Sequence, residues 1–354
     1  MHRLDHPLYQ EDLALVANSN VDWSVLDGTT IAVSGATGMV GTFLVDVLMH
    51  KVHAGTLDCR VLALGRNQDR ARGRLPYFDD ERFAFEELDV SVPGAAPKAS
   101  ANVVVHLAST THPRAYATQP IATITSNVVG LQNLLEWQLA TAGERGRFVF
   151  ASSVEIYGEN RGDVERFAED YCGYLDCNTL RAGYPEAKRL CEAMCQAYAS
   201  ERGAHVYVPR LPRIYGPTLL ASDTKALSQF LHKAVAHEDV VLKSEGTQTF
   251  SYLYVADAVC ALLWVLTRGE QGVAYNAADE RGDVALRDLA TGIAQAGGSK
   301  VVFDLPDEVE RAGYSTATKA LLDGSRLRAL GWWAHYGMDE GLARTVRMLS
   351  EIWK

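Results

Sequence analysis

Tyr184 and Lys188, four residues apart in Tyr184-Pro185-Glu186-Ala187-Lys188, are the pair whose types and spacing best suit joint chemistry in this sequence. On a helix that separation puts both side chains on one face. An ammonium beside a phenol favours the phenolate, and a phenolate removes a proton from an alcohol while hydride leaves the same carbon. A hydroxyl is then needed to orient the alcohol. Ser153 stands just past the apolar run of residues 147–152, where a strand end and the start of the next helix converge above a sheet edge. Its neighbour Ser152 is the alternative, pointing inward or capping local backbone. Glu155 lies close enough to enter the same pocket, or stays a solvated loop acid.

Hydride needs an acceptor, and the strongest local motif provides for one. Gly35-Ala36-Thr37-Gly38-Met39-Val40-Gly41 follows an apolar strand and opens a helix, with glycines at its first, fourth and seventh positions. Absent side chains permit a tight turn and close approach of a diphosphate, and the unpaired amides of the helix start favour its charge. Thr37, Met39 and Val40 are therefore expected at the same dinucleotide as the glycines, an NAD or NADP that stays tightly bound and is recycled. At the end of the second strand Arg66 stands where NAD sites often carry an acid. Its guanidinium suits either an adenine face or a ribose phosphate, which keeps both cofactors open. Asp89 and Val90, after the third strand, are candidate adenine contacts; an acidic helix cap gives the same signal at Asp89.

These residues require a frame. Apolar segments at 29–34, 59–64, 82–88, 102–108 and 147–152 alternate with helical stretches from Met39, from Pro120 to about residue 140, and from Pro185 to Ser200. Short apolar strands separated by helices predict an α/β fold with a doubly wound parallel sheet covered on both faces. The expected organisation is a helical arm over 1–26, a cofactor-binding core over 27–210 to which 251–278 returns, and a smaller lobe from 211–250 and 279–354. The segment Ser251–Val255 is expected to carry the chain back to the sheet. A ligand pocket belongs in the cleft under the lobe.

Composition narrows the partners. The chain has 354 residues, 47% hydrophobic and 22% charged, with 34 basic against 44 acidic side chains and a net charge of −10. That balance argues against a nucleic-acid partner. No apolar run is long enough for a membrane span, and the first 20 residues lack the pattern of a secretory leader. The six cysteines form no CxxC pair and no zinc pattern, so no metal is expected and a cytoplasmic location is.

The order GATGMVG, HLAS, SSVEIYG, YPEAK, RIYGP and SYLYVADAV over residues 28–350 resembles the extended short-chain dehydrogenase/reductases that act as nucleotide-sugar epimerases, decarboxylases and dehydratases. The resemblance implies a Rossmann-type parallel sheet with a smaller carboxyl-terminal substrate-binding lobe, a UDP- or dTDP-linked sugar as substrate, and a homodimer packed through helices. It assigns Ser153, Tyr184 and Lys188 as the catalytic trio, with His106, Leu107, Ala108 and Ser109 at a cofactor loop, Asn127 on the helix that follows, and Thr110 towards substrate.

Three departures bear on the reaction and the ligand. Dehydratase relatives carry an Asp-Glu pair where this sequence has Val154 and Glu155; a valine cannot protonate a departing hydroxyl, whereas decarboxylase relatives show the hydroxyl-variable-glutamate pattern kept here. Arg213 stands where relatives have Asn, and Phe250 where they have a diphosphate-binding Arg, so Arg213 is a candidate to supply the displaced charge. Asn178 and Arg181, in the loop before Tyr184, are candidate sugar contacts. Arg181 suits a uronate carboxylate, and equally a salt bridge to Asp170 or Asp176. The sequence reading favours C4 epimerisation through a transient 4-keto sugar, then glucuronate decarboxylation, then 4,6-dehydration or net 4-ketoreduction. A non-enzymatic nucleotide-binding protein is the remaining class.

Overall fold

The computed structural model describes residues 1–109, 116, 118–142, 146–304 and 318–353. Thr110 therefore lies outside the described residues. Strands β1 (Thr29–Ser34), β2 (Cys59–Gly65), β3 (Phe83–Glu87), β4 (Val103–His106), β5 (Arg147–Phe150), β7 (Val206–Leu211) and β11 (Ala274–Asn276) form one parallel sheet in the order β11-β7-β5-β4-β1-β2-β3, and the two-residue strand β6 (Ser152–Ser153) extends it beside β7. The chain runs outward from β1 to β3, then restarts at β4 on the other side of β1 and runs outward again. That reversal opens a crevice at the carboxyl ends of β1 and β4, the place where open α/β sheets bind ligands. It is a Rossmann-type sheet, as expected.

Burial explains why these segments are strands. Ile31, Ala32 and Val33 of β1, and Val103, Val104 and Val105 of β4, are at most 2% exposed. Both faces of the sheet are covered, so near-continuous apolar runs replace the alternation of a half-solvated sheet. Helix α2 (Met39–His53) and the arm helix α1 (Pro7–Ala17) pack on one face, whereas α4 (Pro120–Ala142) and α5 (Gly183–Arg202) pair on the other. The arm is fastened by buried ionic contacts. Arg3 donates to both carboxylate oxygens of Asp46, at 2.8 and 3.0 Å, and Asp12 accepts from Tyr254, Tyr336 and Arg344.

The smaller lobe has its own sheets. β8 (Arg213–Tyr215), β10 (Thr249–Tyr254), β12 (Asp283–Ala285) and β14 (Lys319–Ala320) make one, and β9 (Val240–Leu242) with β13 (Val301–Phe303) a second. Of the segment Ser251–Val255 expected to rejoin the main sheet, Ser251–Tyr254 lies in β10, paired with β8, β12 and β14. The chain regains the large sheet afterwards, through helix α7 (Val255–Arg268) and β11 beside β7. The apolar run gives a strand in either sheet; long-range pairing chooses which. No helix among the described residues is long and apolar enough to cross a membrane, and no described cluster of His, Cys, Asp or Glu has the geometry of a metal site.

Candidate active site

The glycine turn is shaped by contact distances. Gly35 adopts φ +71°, and a Cβ there would stand 2.8 Å from the Ala108 amide nitrogen. A Cβ on Gly41 would fall 2.3 Å from the Gly35 carbonyl oxygen. The turn therefore folds on itself and against the end of β4, and only glycine fits. Gly38 is the N-cap of α2 and offers no side-chain cap, so the first amides of that helix stay available to an anion. Thr37, Met39 and Val40 are partly exposed around this opening. Arg66 is exposed at the end of β2 and close enough to Asp89 to act on its charge. Burial pushes the Asp89 carboxyl up, but the Ser91 hydroxyl and amide, together with Arg66, outweigh it and hold Asp89 below its usual value. Val90 is buried and packs over Gly130 of α4. These groups fit a dinucleotide lying across the sheet edge.

His106 closes the crevice floor. Its Nδ1 lies 2.7 Å from the Ser34 hydroxyl, which also accepts from the Ala108 amide at 3.3 Å, tying the ends of β1 and β4 together. Burial, reinforced by Lys188, lowers its pKa to about 3 and keeps the ring neutral. Leu107 packs against the core next to it.

Tyr184 and Lys188 occupy the first turns of α5 and are 5% and 4% exposed. Burial raises the Tyr184 phenol above its ordinary value and Glu155 adds to the rise; the hydroxyls of Ser153 and Ser109, both within hydrogen-bonding reach of it, act in the opposite sense. Lys188 Nζ donates to the Ala151 carbonyl at 2.8 Å and lies 4.5 Å from the Phe150 ring centre. Burial brings its pKa down to about 8. A buried lysine that titrates near neutrality exchanges charge with its surroundings readily.

The choice between the two serines is made by the helix. Ser152 is 3% exposed and donates to the Glu192 carboxylate, so Ser153 is the one that meets Tyr184. Val154 is buried in an apolar cluster with Ile156, Tyr157 and Phe167, whereas Glu155 is partly exposed beside Tyr184 and Tyr116. Ser109, expected at the cofactor loop, lies within reach of the Tyr184 hydroxyl and donates to Asn127 Oδ1 at 2.9 Å. Asn127 is held in turn by its bond to the Thr123 carbonyl at 2.8 Å.

The sequence reading missed Tyr116. Its ring stacks on Tyr184, with centres 4.9 Å apart and planes 16° from parallel. No periodicity signals such a contact, because Tyr116 arrives from the segment before α4. Arg181 is exposed, at the start of the turn leading into α5, and near enough to act on Tyr116. Asn178 is exposed, and its amide bonds Asp176. Arg213 and Phe250 come together on paired strands: the guanidinium lies 3.5 Å from the centre of the buried Phe250 ring. Arg213 and Phe250, expected separately near the ligand, are thus in contact with each other.

The model of the NAD dependent epimerase/dehydratase family matches residues 31–278. UDP-glucuronic acid decarboxylase 1 of Xenopus tropicalis is 28% identical over 322 residues, 90% of this chain and 72% of that protein. Among solved structures, an epimerase from Methanothermobacter thermautotrophicus is similar with a TM-score of 0.78 at 20% identity, covering 98% of this chain and 97% of that one. The UDP-glucose 4-epimerase of Thermotoga maritima, solved with UDP-glucose, gives 0.76 at 21% identity over 92% and 100%.

Proposed function

The chain belongs to the NAD dependent epimerase/dehydratase family and is an NAD(P)-dependent enzyme acting on nucleotide sugars; from that premise we propose that it decarboxylates a nucleotide-linked glucuronate. One observation carries the choice. Among the described residues Glu155 is the carboxylate that acts on Tyr184, while Val154 is turned into the apolar core. Expelling a hydroxyl from C6 needs an acid at the second of these positions. Losing carbon dioxide from C6 does not. The similarity to UDP-glucuronic acid decarboxylases supports the same reading.

The nicotinamide supplies the hydride acceptor and returns the hydride when bound. The protein's own residues do the rest. Tyr184, as phenolate, takes the proton of the C4 hydroxyl, with the Ser153 hydroxyl aligning the oxygen. Lys188 holds a positive charge beneath the phenol and so favours its ionised form. The resulting C4 ketone is β to the C6 carboxylate. When the C5–C6 bond breaks, its electron pair enters the C4–C5 enolate, and carbon dioxide departs. A proton then returns to C5, relayed from solvent through Glu155, and Tyr184 gives its proton back to the C4 oxygen as the ketone is reduced. Arg181 would hold the carboxylate beforehand; its nearness to Tyr116 supports this. Arg213, on its Phe250 platform, would pair with the diphosphate.

C4 epimerisation, favoured by sequence alone, shares every step up to the ketone and needs only the trio, which is complete. We further propose a homodimer through the outer faces of α4 and α5, where Ile121, Ile124 and Leu190 are exposed, and a cytoplasmic location, in keeping with the free cysteines. The test is product analysis with a panel of UDP- and dTDP-linked hexoses and hexuronates, NAD and NADP being supplied separately. Nucleotide-pentose from glucuronate is the expected product. A product of unchanged mass with C4 inverted replaces decarboxylation by epimerisation, and Glu155→Gln separates the two: it should stop pentose formation but leave a pure epimerase active.

A further inference from the structure

Helix α5 carries a third ionisable group on the face that bears Tyr184 and Lys188. Glu192 follows Lys188 by four residues, one further turn along the same side. Its carboxylate accepts from the Ser152 hydroxyl and from two nitrogens of Arg210, Nε at 3.0 Å and Nη2 at 2.7 Å. The Arg210 and Glu192 side chains are 10% and 16% exposed, and the fork-to-fork geometry fixes both planes. Lys188 meanwhile holds the Ala151 carbonyl. One helix thus grips the chain at 151 and again at 152, immediately before Ser153. Arg210 completes the clamp from the adjoining strand, since Ser152 pairs with Arg210 and Ser153 with Leu211 in the β6 to β7 ladder.

The clamp extends into the lobe. Arg210 Nη1 donates to the Tyr157 hydroxyl at 2.8 Å and to the Glu169 carbonyl at 2.6 Å. Tyr157 donates to Asn276 Oδ1 at 2.6 Å, and Asn276 Nδ2 donates to the carbonyls of Phe167 and Asp323. We propose that Glu192, oriented by Arg210, is a positioning residue for the reaction: it fixes Ser153 against Tyr184 through Ser152 and supplies the counter-charge that keeps Lys188 protonated. This inference rests on the trio's catalytic role given above but not on which product forms, because the oxidation at C4 precedes that branch.

The groups that face Lys188 decide what removal of Glu192 does. From its own helix these are Tyr184, Cys191, Glu192 and Cys195; from β4 it is the neutral ring of His106; Arg210 lies behind Glu192. Cys191 and Cys195 are buried, and burial raises both thiols, so they stay uncharged at neutral pH. Glu192 is therefore the one formal negative charge in that set. A structural role alone would change stability; a charge role also moves the titration of Lys188.

The experiment uses the full chain with lysine labelled at 13Cε, the Lys188 signal being identified as the one absent from Lys188→Met. Glu192→Gln should move its midpoint to lower pH by at least half a unit and lower kcat for sugar oxidation about tenfold, with KM changed less than twofold. Ser152→Ala, which keeps the charge and removes one grip, should lower kcat without moving the midpoint. The double variant Glu192→Gln with Arg210→Gln avoids leaving a buried guanidinium unpaired; if Glu192→Gln alone misfolds, it should show a smaller shift in the same direction, because the cation lost lies farther from Lys188 than the anion. An unmoved midpoint in whichever of the two Glu192 variants folds overturns the charge role, and unchanged kcat in both Glu192→Gln and Ser152→Ala overturns the positioning role. The NMR readout needs no turnover, so it stands whether or not glucuronate is the substrate.

Discussion

The glycine turn of residues 35–41 and the head of helix α5 sit on the same sheet edge but are built by opposite means. The turn works through side chains it lacks. It folds this tightly because Gly35 and Gly41 pack backbone against backbone, closer than any Cβ permits. The head of α5 works through side chains drawn out of water: Tyr184 and Lys188 are almost fully buried, and burial moves each towards its neutral form. In the proposed mechanism, binding falls to rigid backbone and proton transfer to groups whose charge is costly, and therefore movable.

If the division holds, damage at the two regions must differ in kind. Removing the proton-transfer group has the largest effect. Tyr184→Phe should reduce kcat by about 10³-fold while cofactor retention and melting temperature stay near those of the parent protein; steady-state rates, bound-cofactor content and a melting curve check this together. Next is Gly41→Val, where the new side chain meets the Gly35 carbonyl. Overpacking of this kind costs about 1–3 kcal/mol, and the purified variant should have lost both stability and cofactor. Retention of both would show that the turn is not the cradle.

Smaller effects sharpen the contrast. Arg213→Ala should raise KM for the nucleotide sugar roughly tenfold, the value of one charge-assisted pair, and leave kcat within about threefold. Phe250→Ala should reproduce part of that effect by freeing the guanidinium. The smallest effect has an unusual sign. The folded-state pKa of Lys188, about 8, lies below the ordinary lysine value of 10.5, so folding penalises the ammonium. The full penalty acts below about 8 and fades as pH rises towards the unfolded value, where the unfolded chain still binds the proton. Lys188→Met should therefore be inactive yet melt about 2–4 °C higher at neutral pH. In the parent enzyme, activity that depends on protonated Lys188 should decline as pH rises through about 8.

The same contrast explains what the sequence disclosed. A glycine turn is a local statement: seven consecutive residues, a strand before and a helix after, contain all of it. The Tyr184 and Lys188 pair was equally legible, from spacing on one helix. Its surroundings were not. Tyr116 and Ser109 reach Tyr184 from the β4 to α4 region, with Asn127 behind Ser109, at sequence distances where no period carries information. The choice between Ser152 and Ser153 depends on Glu192, which helical spacing from Lys188 does offer as a signal. The placement of Ser251–Val255 in the lobe shows the same limit from the side of the fold. An apolar strand specifies that it is buried, and leaves its partner to the rest of the chain.

The most direct test of the central claim uses UDP-glucuronate carrying deuterium at C4, incubated with the purified protein and its bound cofactor. The account predicts release of carbon dioxide and a nucleotide-pentose that keeps the deuterium at C4, because the hydride leaves and returns within one site. A product that retains its carboxylate with C4 inverted, or one whose deuterium has passed to free cofactor, would contradict it.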